Sequence, residues 1–309
     1  MEIQLHADDL GLTPEINRAI FDLADQGLLD SVSLIVNGPV IDDALQGLRQ
    51  RPWLRWNLHI NLVEGCPVSP IGDVPLLVDE RGQFRHSFLG ILIRSMPVYR
   101  PRPQFRLQIA TEIRNQIRFV QRELSPTALR VDSHQHTHII PMIASLVHRL
   151  ARANRMEYIR GVRDLIEPGL RDWYRFSAWM NAGKSLLLRI LQFGNDRRHY
   201  AFWKGAADAD DAQERIIGIF LSGGMKLPAI ARTLARIDRQ TKGQAKVLLL
   251  FHPGDYSGGG PETVTLQEGH QSQFFDYCSL AARNQEYQTM LSAELRVLLA
   301  EFRGASQRN

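Results

Sequence analysis

Cysteine is nearly missing: Cys66 and Cys278 are the only two in 309 residues. Two cysteines give no disulfide framework, and a reducing compartment fits. Long apolar runs are missing too, since none approaches the roughly 20 residues needed to span a bilayer. Met1 leads almost directly into the first apolar run, which leaves no room for a signal peptide. The expected location is therefore the cytoplasm. Nor is there an excess of one charge. A net charge of +4, with a pI near 9.2, is too weak to imply a nucleic-acid partner. No internal repeat is present. What remains is 44% apolar and 23% charged, an ordinary soluble globular composition with enough chain for a full core.

The order of elements points to a parallel sheet. Thr13-Pro14-Glu15 marks a helix start, with Thr as N-cap, Pro in the first position and an acid in the first turn. Ile16, Ile20 and Leu23 continue it as an apolar stripe, and Gly27 closes it. A strand from Ser31 to Val36 and a helix from about Val40 to Gln50 follow. Strand and helix alternating at this spacing predict βαβ units. Later elements include a helix reaching Leu124, a strand from Ala128 to Asp132 and a helix after Pro141. Helical patterns are expected from Asp208 to Leu221, around Ala229 to Ile237, and from about Phe274 to Phe302 with a break. Val247 to Phe251 is a continuous apolar run, as in a buried parallel strand. The stretch from Gly65 to Pro103 has no periodicity and many Pro and Gly residues, as in a binding loop.

Chemistry concentrates where strands end. In His6-Ala7-Asp8-Asp9-Leu10-Gly11 two adjacent carboxylates raise each other's pKa, and a cation or a shared proton relieves that repulsion. In the strand Trp56 to Leu62 the apolar residues share one face, while Asn57, His59 and Asn61 share the other, resembling the lining of a cleft. Val131-Asp132-Ser133-His134-Gln135-His136-Thr137-His138 places three of the chain's ten histidines within five residues. An extended backbone would set them on one side; a helical one would stack His134 on His138. The apolar run ending at Phe251 leads into His252-Pro253-Gly254-Asp255. In a parallel barrel such strand ends converge on one face. Asp8, Asp9, His59, His134 and His252 can then meet, and one carboxylate with two imidazoles is a common set for a hydrolytic divalent metal.

HADDLG, NLHINL, VDSHQHTHIIP and FHPGD, in this order and with Arg283 to Glu286 near the end, resemble the YdjC/ChbG family of carbohydrate deacetylases. The resemblance covers nearly the whole chain. It implies an α/β fold, a seven-stranded (β/α) barrel, as one domain over residues 1–309. It also implies metal-dependent removal of an acetyl group from an N-acetylated sugar. By position, Asp9, His59 and His134 match the family's metal ligands (magnesium or zinc), Asp8 its general base and His252 its histidine near the leaving group. Asp132, Asn57, Asn61, His136 and His138 fall to ligand support or substrate contact. Leu10 and Gln135 depart from the usual Phe and from a longer His run, which bears on pocket shape.

A larger departure is the stretch at about 163–205, read as an inserted aromatic and basic helical segment. Trp173, Trp179 and Trp203 lie within it, among Arg171, Arg175, Lys184, Arg189, Arg197, Arg198 and Lys204. Such a mixture suits either an interfacial helix or a subdomain packed on the barrel. A branch of the resembled family tied to hopanoid biosynthesis acts on a lipid-attached aminosugar. The expectation is thus a sugar substrate that is free or lipid-linked, with contact to the inner membrane face and a homodimer left open. A phosphoesterase on the same barrel and a lipid-binding protein with an inactive site are the competing readings.

Overall fold

The computed structural model describes residues 1–162, 183, 186–193, 214–257 and 279–304. Its strands are β1 (Glu2–Leu10), β2 (Ser31–Leu34), β3 (Arg55–Ile60), β4 (Leu129–Ser133), β5 (Met156–Ile159), β6 (Arg215–Ile217) and β7 (Lys246–Phe251). They form one 7-stranded sheet in the order β5-β4-β3-β2-β1-β7-β6, and every pairing is parallel. The sheet curls, with helices around it, in the expected seven-stranded (β/α) barrel class. Strands β5 and β6 end the sheet, and no pairing joins them among the described residues.

β1 sits mid-sheet because its apolar residues are covered on both faces. Ala7 and Leu10 are fully buried, and β1 runs beside β7 from Glu2↔Lys246 to Ala7↔Phe251. Helix α1 (Pro14–Asp25) starts as its sequence dictates, with Thr13 Oγ1 accepting from the Ile16 N–H and Pro14 in the first turn. Ile16, Ile20 and Leu23 form its buried stripe. Helices α2 (Ile41–Gln50), α3 (Phe88–Arg94), α4 (Arg102–Leu124), α5 (Pro141–Ala153), α6 (Leu227–Thr241), α7 (Leu280–Leu291) and α8 (Ala293–Gly304) follow. No described helix is long and apolar enough to cross a membrane.

Three expectations need correction. Arg215–Ile217 is strand β6, paired with β7, where a helix was expected through Leu221. Ile216, Ile217, Ile219 and Phe220 mimic helical spacing, yet the β-branching of the three isoleucines and the packing of Ile216 and Ile219 with Leu248 and Leu250 of β7 favour a short strand. Strand β5 was not anticipated, because four residues are too few to show alternation. The Gly65–Pro103 stretch holds a short 3-10 turn and helix α3, and α4 begins at Arg102. The expected break in the C-terminal helix falls at Ser292, between α7 and α8. Of the aromatic-basic stretch, residues 186–193 are helical; Trp173, Trp179 and Trp203 lie outside the described residues.

Candidate metal and catalytic site

The site begins with a break in β1. The pairing of β1 with β2 shifts register between Ala7 and Leu10, and Asp9 has φ 76. In a regular strand Asp8 and Asp9 would point to opposite faces. The irregularity brings both carboxylates among the same buried histidines, the usual effect of a bulge near a functional site. Asp tolerates the left-handed region better than most residues. Gly11, with φ 98, lets the loop turn where a Cβ would meet the Ile35 carbonyl oxygen at 2.8 Å.

Asp9, His59 and His134 each offer one ligand atom, those atoms lie within 4.8 Å of one another, and all three residues are buried. His134 Nδ1 lies 3.0 Å and His59 Nε2 3.7 Å from Asp9 Oδ1. Each imidazole has a carboxylate behind it. His59 Nδ1 donates to Asp132 Oδ1 at 2.6 Å, which in the neutral ring leaves Nε2 to face the cluster. His134 Nε2 is 3.4 Å from Glu64 Oε1, an oxygen that also accepts from Gln135 Nε2. Burial lowers the His134 pKa, but Asp9 and Glu64 outweigh that and lift it to about 10.

Beneath this cluster lies a second layer. Asp8 is held bidentately by Arg160, with Nη1 2.8 Å from Oδ1 and Nη2 2.8 Å from Oδ2. His6 Nε2 is 3.0 Å from Asp8 Oδ1. Asp132 Oδ2 accepts from Ser33 Oγ and Asn57 Nδ2 and lies 3.1 Å from Arg160 Nη1. Burial pushes the carboxyls of Asp8 and Asp132 up, yet Arg160, then His59, holds both below the usual range. Asp8 Oδ2 still faces the cluster, 3.9 Å from His59 Nε2 and 4.0 Å from His252 Nε2.

Helix α7 closes the far side with two side chains one turn apart. Arg283 Nη2 donates to Asp9 Oδ2 at 2.6 Å. Glu286 accepts from the His252 N–H at 2.6 Å and the Gly223 N–H at 2.9 Å, which fixes the loop after β7. Its Oε2 is 3.7 Å from His252 Nδ1.

The structure thus brings Asp8, Asp9, His59, His134, Asp132 and His252 together and separates the other histidines. Gln135 and His136 both adopt left-handed backbone, φ 52 and φ 58, so residues 134–138 are neither extended nor a regular helix. His138 is turned to β5: Nε2 donates to the Arg160 carbonyl at 2.8 Å, and Nδ1 is 2.6 Å from Ser133 Oγ. His136 is buried and lies outside the ligand cluster. Asn61 is a turn brace whose Oδ1 accepts from the Val63 and Glu64 N–H groups. Arg160 and Glu64 carried no sequence signal. Neither lies in a His- or Asp-rich motif, and β5 was not foreseen.

The cluster fits a divalent cation by its donor chemistry. Asp9 Oδ1 is fully buried and makes no hydrogen bond of adequate geometry, although two imidazole nitrogens approach it. A buried carboxylate oxygen left so is unfavourable without a cation or a proton. One oxygen and two nitrogens suit zinc and related hydrolytic metals.

A parallel barrel with such a set of polar groups at its strand ends has the layout of an α/β enzyme. The chain matches the YdjC-like protein family over residues 2–301 and belongs to it. It is 28% identical to a carbohydrate deacetylase of Halalkalibacterium halodurans over 56% of this chain and 69% of that protein. It is 33% identical to one of Brevibacillus brevis over 50% of this chain and 58% of that one. It is also 31% identical to a chitooligosaccharide deacetylase of Escherichia fergusonii, over 62% of this chain and 75% of that protein. A crystal structure from Enterococcus faecalis V583, described as a proposed cellobiose-phosphate cleavage protein, superposes with a TM-score of 0.60. That alignment covers 97% of this chain and 94% of the other at 16% identity, a likeness of fold alone.

Proposed function

We propose that this chain, as one barrel domain, is a metal-dependent carbohydrate deacetylase that hydrolyses the acetamide of an N-acetylated sugar. The observation that carries the reading is the convergence of Asp9, His59 and His134 beside Asp8 and His252, within a chain of the YdjC-like family. A divalent cation held by Asp9, His59 and His134 would supply Lewis acidity to the amide carbonyl and to water. Asp8 Oδ2, ionised and aimed into the same space, accepts the proton of the attacking water. His252, its backbone fixed by Glu286, carries a proton to the departing amine. Asp132 holds the ring of His59 through a hydrogen bond, and the carboxylate of Glu64 lies 3.4 Å from Nε2 of His134. A phosphoesterase is favoured less. The buried arginines of the site, Arg160 and Arg283, are committed to Asp8 and Asp9 and are not presented to a phosphate.

A lipid-linked sugar at a membrane face is the finer part of this reading. Its support is an exposed surface on α3, the residues after it and the helical residues 186–193. Leu89, Ile93, Met96, Leu186 and Ile190 are exposed, and Val98 and Phe193 are 85% and 81% exposed. Phe88 and Leu191 pack against one apolar cluster with Ile139 and Leu250, which ties both segments to the end of the barrel bearing the site. Between Glu80 and Glu112 there is no acidic residue, while Arg81, Arg85, Arg94, Arg100, Arg102 and Arg106 are present. Apolar bodies with cations around them suit an anionic lipid surface.

The deciding experiment is acetate release by purified protein from free N-acetylated oligosaccharides and N-acetylhexosaminyl lipids, with and without chelator. Chelator-sensitive release from at least one of them is expected. Release that a chelator leaves unchanged would remove the metal from the reading, and none from any substrate would remove the activity.

A further inference from the structure

Arg160 lies just beyond β5, fully buried, and both of its ends are fixed. Its backbone N–H donates to the Val131 carbonyl, and its own carbonyl accepts from His138 Nε2. Its guanidinium reaches into the buried group formed by His6, Asp8 and Asp132, whose ligand atoms also lie within 4.8 Å of one another. That group has the composition of a second cation site, and the arginine is the cation in it. The planar fork grips Asp8 through both oxygens, which fixes the carboxylate plane as a lysine could not. With Oδ1 shared between Arg160 and His6, the free face of Oδ2 is the one toward His59 and His252.

We propose that Arg160 is a positioning residue for the hydrolysis. It locks Asp8 so that Oδ2 faces the reacting water, and it keeps that carboxylate from swinging in as a further metal ligand. The inference rests on Asp8 as proton acceptor in the proposed function. It adds that the role depends on a residue 152 positions away in sequence. Through Asp132 the same guanidinium also steadies His59, so base and ligand share one anchor.

The test uses the full chain loaded with cobalt(II), whose absorption spectrum reports the coordination at Asp9, His59 and His134, and N,N′-diacetylchitobiose as the probe substrate. Arg160→Met is expected to hold one cobalt per chain with a changed spectrum, as Asp8 joins the metal. Its kcat should fall at least 100-fold with KM within threefold. Arg160→Lys should keep the wild-type spectrum and recover at least tenfold of that loss. Asp8→Asn alone should fall as far as Arg160→Met, and the double variant no more than threefold further, because both act through one carboxylate. Arg160→Met with kcat within threefold of wild type, or a double variant falling by the product of the two losses, would overturn the proposal. If Arg160→Met does not fold, Arg160→Lys in the wild-type and Asp8→Asn backgrounds decides, since its loss should vanish in the second. Full turnover by Asp8→Asn would refute the base itself. An inactive Asp8→Asn beside fully active Arg160 variants would refute only the role of Arg160.

Discussion

Arg283 Nη2 sits 2.6 Å from Asp9 Oδ2, so one oxygen of this carboxylate is neutralised by helix α7 and the other is left for the cluster. The pairing lets Asp9 stay ionised despite full burial, and its pKa lies well below the ordinary carboxylate value: burial raises it, and Arg283 and His134 more than reverse that. Asp9→Asn should therefore lose the cation, whereas Asp8→Asn should retain it while turnover drops by about 10² or more. Metal content after dialysis separates the two. Equal metal content in both variants would mean that the division into ligand and base is wrong. Arg283→Met should cost about 3–5 kcal/mol of stability in the metal-free protein, as expected when one partner of a buried ion pair is removed. Denaturant melts measure it.

His252, the proton donor of the proposed mechanism, lies outside the cluster of Asp9, His59 and His134. Its Nε2 is 4.0 Å from Asp8 Oδ2, and its backbone is fixed by Glu286. For His252→Ala we expect retained metal and turnover lowered by about 10² on an unactivated acetamide. With a substrate whose leaving group needs no proton, such as an aryl acetate, the loss should shrink to a few-fold. An equal loss on both substrates would place His252 in binding and not in proton transfer.

His138, which lies outside the ligand cluster, gives a pH prediction for the metal-free protein. Burial, then the charge of Arg160, lowers its pKa to about 4, and its two ring nitrogens are engaged by Ser133 and the Arg160 carbonyl. An unfolded histidine titrates near 6.5, so between those values the unfolded chain binds the extra proton. The stabilisation is complete above about pH 6.5 and is lost as pH falls toward 4. Lowering the pH from 7.5 to 5 should remove roughly 2 kcal/mol more from the wild type than from His138→Gln. Urea melts at the two pH values give the difference. Parallel losses in both proteins would show that His138 is not the titrating group.

Much of this candidate site was legible because its residues come from strand ends that bear short polar motifs. Asp9, His59 and His134 stand out in sequence, and their convergence follows from parallel topology alone. Within 134–138, however, spacing could not choose between an extended and a helical arrangement. Two left-handed residues made it neither, sending His134 to Asp9 and His138 to β5. The aspartate pair was legible as a strain and its relief was not. Arg160 follows a four-residue strand with no detectable period, and Arg283 lies on a helix whose apolar pattern is weak. Strand β6 failed for the reverse reason. Three residues of β-structure inside an isoleucine-rich stretch copy the spacing of a helix.

The exposed apolar surface beside the site yields the last prediction. Leu89 and Ile93 on α3, Met96 and Val98 after it, and Leu186, Ile190 and Phe193 on residues 186–193 are too many large exposed apolar groups to dismiss as scattered. Arginines rather than acids accompany them, so attraction to an anionic bilayer should act together with apolar insertion, at about 1 kcal/mol per cation near the surface. Flotation with vesicles containing anionic lipid should therefore recover the protein at low salt and less of it at high salt, because the electrostatic share is screened within about 10 Å at 0.1 M. Phe193→Ser with Arg189→Glu should float several-fold less, while chelator-sensitive acetate release from a short soluble sugar stays unchanged, since neither residue belongs to the site. Wild-type protein that fails to float at either salt, or a double variant that floats equally well, would mean that this surface meets something other than a membrane.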